Sequence, residues 1–370
     1  MNILIVKLSA IGDVIHTLPA LNAIRAHYPG AHITWLVEAA AADLVIGHRA
    51  LDRVLISKRK SWMRQLWGAG RRETFRAIRK FLHDLRDTRY DMIIDFQSLL
   101  KSGVLVWLAH GNRKIGFDKG MQHQEHSYLF LNVRVPPVDM EVHALTRGLM
   151  LLNAIGIPTS NVVYDIPVSE ADHAAVEALM AGQHLSGNRP LVAINPVALW
   201  ETKLWFNDRF AELADRLVLE WDVDVVYTGG PGDRGVIDEI LSMMKAPAAN
   251  LAGWTTLKVL AALYQRSALL VTTDTGPMHL AAAIGTPVVA LFGPTAPWRT
   301  GPFGDGHQVV RTAPACSPCF KRQCDEHRCR CMSDISVQMV YNCVGQTLAN
   351  PLPAKDKWFR LAHGPIDTDN

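Results

Sequence analysis

Short apolar runs alternate with stretches of helical period along most of the chain. The runs 2–8, 32–38, 53–57 and 92–96 are almost continuously apolar, and after an interval the pattern resumes at 190–195, 224–229, 269–273 and 287–292. Runs of this kind predict parallel strands covered on both faces. Between them, 14–28, 74–87, 208–221 and 257–266 carry helical spacing. Repeated strand–helix units predict parallel sheets joined by right-handed crossovers. The interval at 181–190 (AGQHLSGNRP) is rich in Gly, Ser, Asn and Pro and reads as a linker. The pattern therefore predicts an α/β chain of two doubly wound, nucleotide-binding-type domains, 1–180 and 190–350, followed by a polar tail, 351–370. Ligands of such sheets bind at the carboxyl ends of the strands. Two such domains facing a cleft suit a reaction between two substrates.

Composition adds limits. The chain has 370 residues, 49% hydrophobic and 20% charged, which excludes a largely disordered protein. No apolar run approaches the roughly 18 residues needed to span a bilayer. The N-terminus, Met1 to Lys7, reads as a first strand rather than a signal peptide, so the expected location is cytoplasmic. The net charge of +3 does not suggest a nucleic-acid binder, and no nucleic-acid motif is present.

That net charge hides an asymmetry. Residues 58–89 hold eleven basic residues against three acidic ones, a local +8 that leaves −5 for the rest. Lys58, Arg59, Lys60 and Arg64 open this run, with Trp62, Met63, Leu66 and Trp67 between them. Cations interleaved with aromatics suit an anionic acceptor or lipid head groups. The alternative is a solvated helix face.

All six cysteines lie between 316 and 343, so disulfides do not staple the fold. Cys316, Cys319, Cys324 and Cys331 are possible metal ligands. The spacing lacks a pair of CxxC knuckles, however, and a loop of free thiols is the preferred reading.

Four stretches carry candidate chemistry. Lys7-Leu8-Ser9-Ala10-Ile11-Gly12-Asp13 runs from a strand through a glycine turn into a helix, aiming backbone N–H groups at a ligand. Asp13 there reads either as a helix cap or as a general base. Thr273-Asp274-Thr275-Gly276-Pro277-Met278-His279 gathers hydroxyls, a carboxylate and an imidazole at one helix start, a place for a diphosphate and a sugar. Lys203, in the loop after Asn195, can neutralise a departing phosphate, or be a solvated loop lysine. Gly229-Gly230-Pro231-Gly232-Asp233-Arg234 is a turn that lets backbone approach a ligand, or simply a tight turn.

Together these stretches resemble the heptosyltransferases of lipopolysaccharide inner-core synthesis, glycosyltransferase family nine. The residues that carry the likeness are K-L-S-A-I-G-D-V-I-H-T-L-P-A (7–20), T-D-T-G-P-M-H-L (273–280), Phe292-Gly293-Pro294-Thr295 and the cysteine stretch 316–335. Within the first domain, Trp35–Glu38, Lys58–Trp62 and Tyr90–Ser102 resemble the type I enzymes, which add the first heptose to Kdo. The cysteine loop departs from that type and resembles other branches.

The resemblance implies a GT-B fold, ADP-heptose as donor, a Kdo residue of lipid A as acceptor, and inversion without a required cofactor. It makes Asp13 the base and Lys203 the group that neutralises the leaving ADP. It assigns Asp274, Thr275, Gly276 and His279 to the donor's heptose and diphosphate, Asp233 to the ribose and Trp254 to the adenine. It also implies peripheral attachment to the inner face of the inner membrane. Three other readings remain: transfer to a later core heptose, a GT-B-fold sugar-nucleotide epimerase, and a non-catalytic module that docks on membranes.

Overall fold

The structure is a computed structural model and describes residues 1–66, 70–121, 125–183, 185, 187–325 and 329–350. Trp67 and the tail 351–370 lie outside the described residues. The chain divides into two units, one from Met1 to Pro167 and one from Val168 onward. The division falls ahead of the expected boundary at 180, because Glu170–Gly182 is a helix that belongs to the second unit. Ser169 and Asp172 cap its start reciprocally. Its Glu177 lies 4.0 Å from Arg266, at the end of the helix Leu257–Arg266.

The first unit holds six strands: β1 (Asn2–Val6), β2 (His32–Glu38), β3 (Arg53–Ser57), β4 (Tyr90–Asp95), β5 (Gly111–Phe117) and β6 (Val133–Val135). All pair in parallel, in the order β3-β2-β1-β4-β5-β6. The second unit holds β7 (Leu191–Asn195), β8 (Asp224–Tyr227), β9 (Ala249–Asn250), β10 (Leu269–Thr273), β11 (Val288–Phe292) and β12 (Gln308–Arg311). They too are parallel, in the order β12-β11-β10-β7-β8-β9. Counted within its own unit, each sheet runs 3-2-1-4-5-6, the doubly wound order whose crevice opens between the first and fourth strands.

The burial of the strands explains this arrangement. In β1 only Asn2 escapes full burial, and β7, β10 and β11 are buried along their whole length. Val, Ile and Leu on both faces of these central strands meet helices on either side, as covered parallel sheets require. The eight expected strands are all present. The pattern missed β5, β6, β9 and β12, which lie at or beside the sheet margins. β5 begins G-N-R-K with Asn112 and Arg113 exposed, β6 has three residues and β9 two, and β12 buries Val310 alone. These four are too short or too polar to carry a continuous apolar run, unlike the margin strand β3 with its Val54-Leu55-Ile56.

Each unit has a buried apolar cluster of its own. One gathers Leu4, Val6, Leu36, Phe81, Leu85, Ile93 and Val106 in the first unit. The other gathers Ile194, Phe210, Leu217, Tyr227, Val271, Leu291 and Val340 in the second. Among the described residues no helix is long and apolar enough to cross a membrane.

Candidate active site

In the second sheet, Asn195 of β7 lies beside Thr272 of β10 at the switch point. The loop after β7 and the turn after β10 therefore leave the sheet side by side. Lys203 Nζ lies 2.6 Å from Asp274 Oδ2 and 3.3 Å from the Asp274 carbonyl oxygen. Thr295, beyond β11, donates to the same Asp274 oxygen at 2.7 Å. Asp274 is buried, and the Lys203 ammonium lies 4.6 Å from the centroid of the Trp200 ring.

The loop that carries Lys203 is held at both ends. Thr273 Oγ1 donates to the Val197 carbonyl (3.3 Å), and Thr202 Oγ1 donates to the Lys321 carbonyl (2.8 Å). Asp274 is followed by the helix Gly276–Ala283. Its N-cap residue, Thr275, makes no side-chain cap bond, and Pro277 in its first turn carries no N–H. His279 is buried one turn inside that helix.

Asp233 and Trp254 follow β8 and β9, at the same edge of the sheet. Asp233 Oδ2 accepts from the Gly230 amide at 2.7 Å, so one of its oxygens is committed to its own turn. The Gly253 amide donates to the Gly229 carbonyl at 2.9 Å, tying the two loops together. Gly253 has φ +75°, and a Cβ there would lie 2.8 Å from Pro231 Cα, so this close approach needs glycine. Trp254 is half exposed, with Arg234 5.3 Å from its ring centroid. Lys203, Asp274, Thr275, Gly276, Asp233 and Trp254 thus share one sheet edge.

The first sheet builds a second cluster at the same topological place. Val6 of β1 lies beside Asp95 of β4. Asp95 is buried. Its Oδ1 accepts from the amides of Gln97 (2.9 Å) and Ser98 (3.3 Å), and its Oδ2 accepts from Ser102 Oγ (2.9 Å). Desolvation pushes the Asp95 carboxyl up to about 6. The Gln97 side chain, placed by Asp95, accepts from the Leu8 and Ser9 amides at 2.9 and 3.0 Å. This fixes the loop that leads to Asp13.

Asp13 lies in the first turn of the helix Ile11–His27, and its Oδ2 accepts from the Ala10 amide at 2.9 Å. Its Oδ1 has no hydrogen-bond partner among the described residues. One turn further, the buried His16 meets His143 edge to face, with ring centroids 5.1 Å apart.

Glu38, the last residue of β2, is buried and shared by two cations. Lys101 Nζ lies 3.2 Å from its Oε1, and Arg59 Nη2 lies 3.4 Å from the same atom. Lys101 also donates to Ser9 Oγ at 2.6 Å. Of the four basic residues expected to bind acceptor, Arg59 thus reaches the Asp13 loop through Glu38 and Lys101. Lys58 instead lines a separate cavity of about 530 Å³ with Trp62, Glu73 and Thr74. Lys60 and Arg64 point to solvent.

Sequence reasoning gave no role to Glu38, Asp95, Gln97, Lys101 or Thr295. Glu38, Asp95, Gln97 and Lys101 lie inside the stretches that carry the type I resemblance, which was the only signal available.

Five cysteines, Cys316, Cys319, Cys324, Cys329 and Cys331, line a cavity of about 400 Å³. Burial and neighbouring thiols raise Cys329 and Cys331 to about 11, so both are thiols at neutral pH. Among the described residues no three His, Cys, Asp or Glu side chains are arranged to hold a metal ion. The loop is fastened beside the Lys203–Asp274–Thr295 cluster. The Cys319 and Phe320 amides donate to the Pro294 carbonyl (3.1 and 2.8 Å), next to Thr295. Gly293 allows this packing, since a Cβ there would lie 2.6 Å from Met332 Sδ and 3.0 Å from Cys331 Sγ.

Residues 78–329 match the model of glycosyltransferase family 9 (heptosyltransferase). The chain belongs to glycosyltransferase family 9. Lipopolysaccharide heptosyltransferase 1 of Pseudomonas aeruginosa is 31% identical to this heptosyltransferase over 88% of the chain and 87% of its own length. The E. coli heptosyltransferase WaaC, solved with ADP, is 25% identical and superposes with a TM-score of 0.75 over 94% of this chain and all of its own. E. coli ADP-heptose LPS heptosyltransferase II is 26% identical, with a TM-score of 0.73 over 94% of this chain and 99% of its own. Heptosyltransferases 1, 2 and 3 are all among the relatives. The expected α/β architecture of two Rossmann-like units, GT-B in type, stands.

Proposed function

We propose that this family 9 enzyme transfers heptose from ADP-heptose, with inversion, to a Kdo residue of lipid A in lipopolysaccharide inner-core synthesis. The observation that carries the reading is the Lys203–Asp274–Thr295 cluster beside an uncapped helix start at the switch point of the second sheet. An ammonium and helix amides at one point suit a diphosphate leaving group, and no other cofactor is called for. The likeness to heptosyltransferase 1 supports the Kdo acceptor over a later core heptose.

In the proposed step, the acceptor hydroxyl oxygen forms a bond to the anomeric carbon of heptose on the face opposite the diphosphate. The bond from that carbon to the diphosphate oxygen breaks, and its electron pair leaves with ADP. Asp13 takes the acceptor proton on Oδ1, the oxygen not used in capping. Lys203 exchanges part of its pairing with Asp274 for the diphosphate. Asp274 with Thr275, Gly276 and His279 then holds the heptose and diphosphate, while Asp233 and Trp254 take the ribose and adenine. Arg59, with Lys58, Lys60 and Arg64 nearby in sequence, draws the carboxylates and phosphates of the acceptor. The enzyme works at the inner face of the inner membrane, attached peripherally.

The test is release of ADP from ADP-heptose with Kdo-bearing lipid A present and absent. Release only with that acceptor is expected. Turnover only on an already heptosylated core would move the enzyme to a later step, and donor conversion without acceptor would make it an epimerase.

A further inference from the structure

The helix Leu100–Leu108 follows the Asp95–Gln97 turn and packs inward through Ser102, Gly103 and Val106, all buried. Its other side carries Leu100, Val104 and Trp107, exposed by 48%, 39% and 63%. Their spacing of four and three residues puts them on one helical face. The turn Ser127–Phe130 packs against this helix and adds Leu129, 63% exposed. Large apolar side chains are not left in water along a whole stripe without a partner.

Charge decides what the partner is. Lys114 Nζ donates to the Trp107 carbonyl at 3.1 Å, so a cation is anchored at one end of the stripe. The adjoining helix Arg71–Arg86 buries Thr74, Phe81 and Leu85 and exposes Arg72, Arg76 and Arg79 around Phe75, itself 57% exposed. The Glu125 carboxylate accepts from the Leu100 amide at 3.2 Å, at the start of the helix. A tryptophan-bearing apolar stripe rimmed by Lys and Arg matches the boundary between acyl chains and anionic head groups.

We propose that the Leu100–Val104–Trp107 face of this helix is the docking surface of the enzyme on an anionic lipid bilayer. The same helix carries Lys101, which holds Ser9 ahead of Asp13. Docking through it brings the acceptor side of the enzyme to the surface where a lipid-borne acceptor lies. The inference rests on the proposed function for a lipid-borne acceptor and for peripheral attachment, and adds the face that makes the attachment.

The test is co-sedimentation of the full chain with vesicles of phosphatidylcholine alone and of phosphatidylcholine with phosphatidylglycerol in equal parts. Wild type is expected to pellet with the anionic vesicles and to be released by high salt. The triple variant Leu100→Ser/Val104→Ser/Trp107→Ser should partition about tenfold more weakly. Arg72→Gln/Arg76→Gln/Arg79→Gln should lose the preference for phosphatidylglycerol. Both variants should keep wild-type transfer to a soluble acceptor fragment, which checks the chemistry separately from the docking. Equal partition of wild type and the triple serine variant would overturn the proposal, as would failure of wild type to bind anionic vesicles. Concentration-dependent dimerisation that disappears in the triple serine variant would instead assign the stripe to a second copy of the chain.

Discussion

The two units share one strand order, yet their charged clusters are built to opposite rules. In the second unit the cluster is closed on itself. Lys203, Asp274 and Thr295 satisfy one another, and the pair is largely out of water. In the first unit the cluster is left open. Asp13 commits one oxygen and keeps the other, and Glu38 is shared by two cations, leaving an excess of positive charge.

Topology thus fixes where a site forms, at the crevice between first and fourth strands, but not how it is held before ligand arrives. On the proposed function, the self-paired lysine exchanges partners when a diphosphate binds, while Asp13 keeps one oxygen outside its cap.

The contrast can be broken most severely at Asp13. Asp13→Asn keeps an oxygen for the Ala10 amide but cannot take a proton. ADP release should fall by roughly 10²–10⁴-fold while the melting temperature and donor affinity stay near wild type. Full activity in that variant would leave Asp13 a cap and nothing more.

Next in size is Lys203→Ala, which leaves Asp274 buried without its cation. Turnover should drop by roughly 10²–10³-fold. Unlike Asp13→Asn, the variant should also lose stability, on the order of 3 kcal/mol by denaturant titration. Loss of turnover with no loss of stability would show that the closed pair contributes nothing to the fold.

A smaller effect sharpens the open side. Asp95 has a folded-state pKa near 6, above the ordinary value of 3.8. Between those values the folded state binds more protons than the unfolded state, so stability should decline as pH rises from about 4 to about 6. Asp95→Asn can still accept from the Gln97 and Ser98 amides, and it should flatten that decline in urea midpoints measured across the interval. A wild-type profile that is level or rising there would contradict the burial cost assigned to Asp95.

The smallest expected change is at Gln97. Gln97→Ala removes the acceptor for two amides ahead of Asp13 and should lower kcat severalfold with little change in donor affinity. Equal loss of kcat and donor affinity would mean that Gln97 does more than position the loop.

Much of this was legible in the chain itself. Continuous apolar runs gave eight strands, seven inside the sheets and β3 at a margin, because a parallel strand buried on both faces has no polar side to interrupt it. Glycine and acid residues at strand-to-helix transitions gave Asp13 and Asp274. The other four stayed hidden because they are too short or too polar to carry such a run. The domain division was legible to within one helix: the expected boundary at 180 falls inside Glu170–Gly182, whose start Ser169 and Asp172 cap.

What the sequence alone determined is the alternation of strand and helix, the two-unit plan and the residue types waiting at the helix starts. These depend on neighbours a few positions apart, and local periodicity and capping record them directly. The tertiary structure alone decided which of those residues meet. Lys203 and Asp274 are 71 positions apart, and Lys101 is 63 from Glu38. All strands of a sheet run in the same direction, so within the second sheet the carboxyl ends of β10 and β7, and within the first those of β2, β1 and β4, come to a common edge. Charges far apart in the chain then find one another, or remain open, according to strand order and not to spacing.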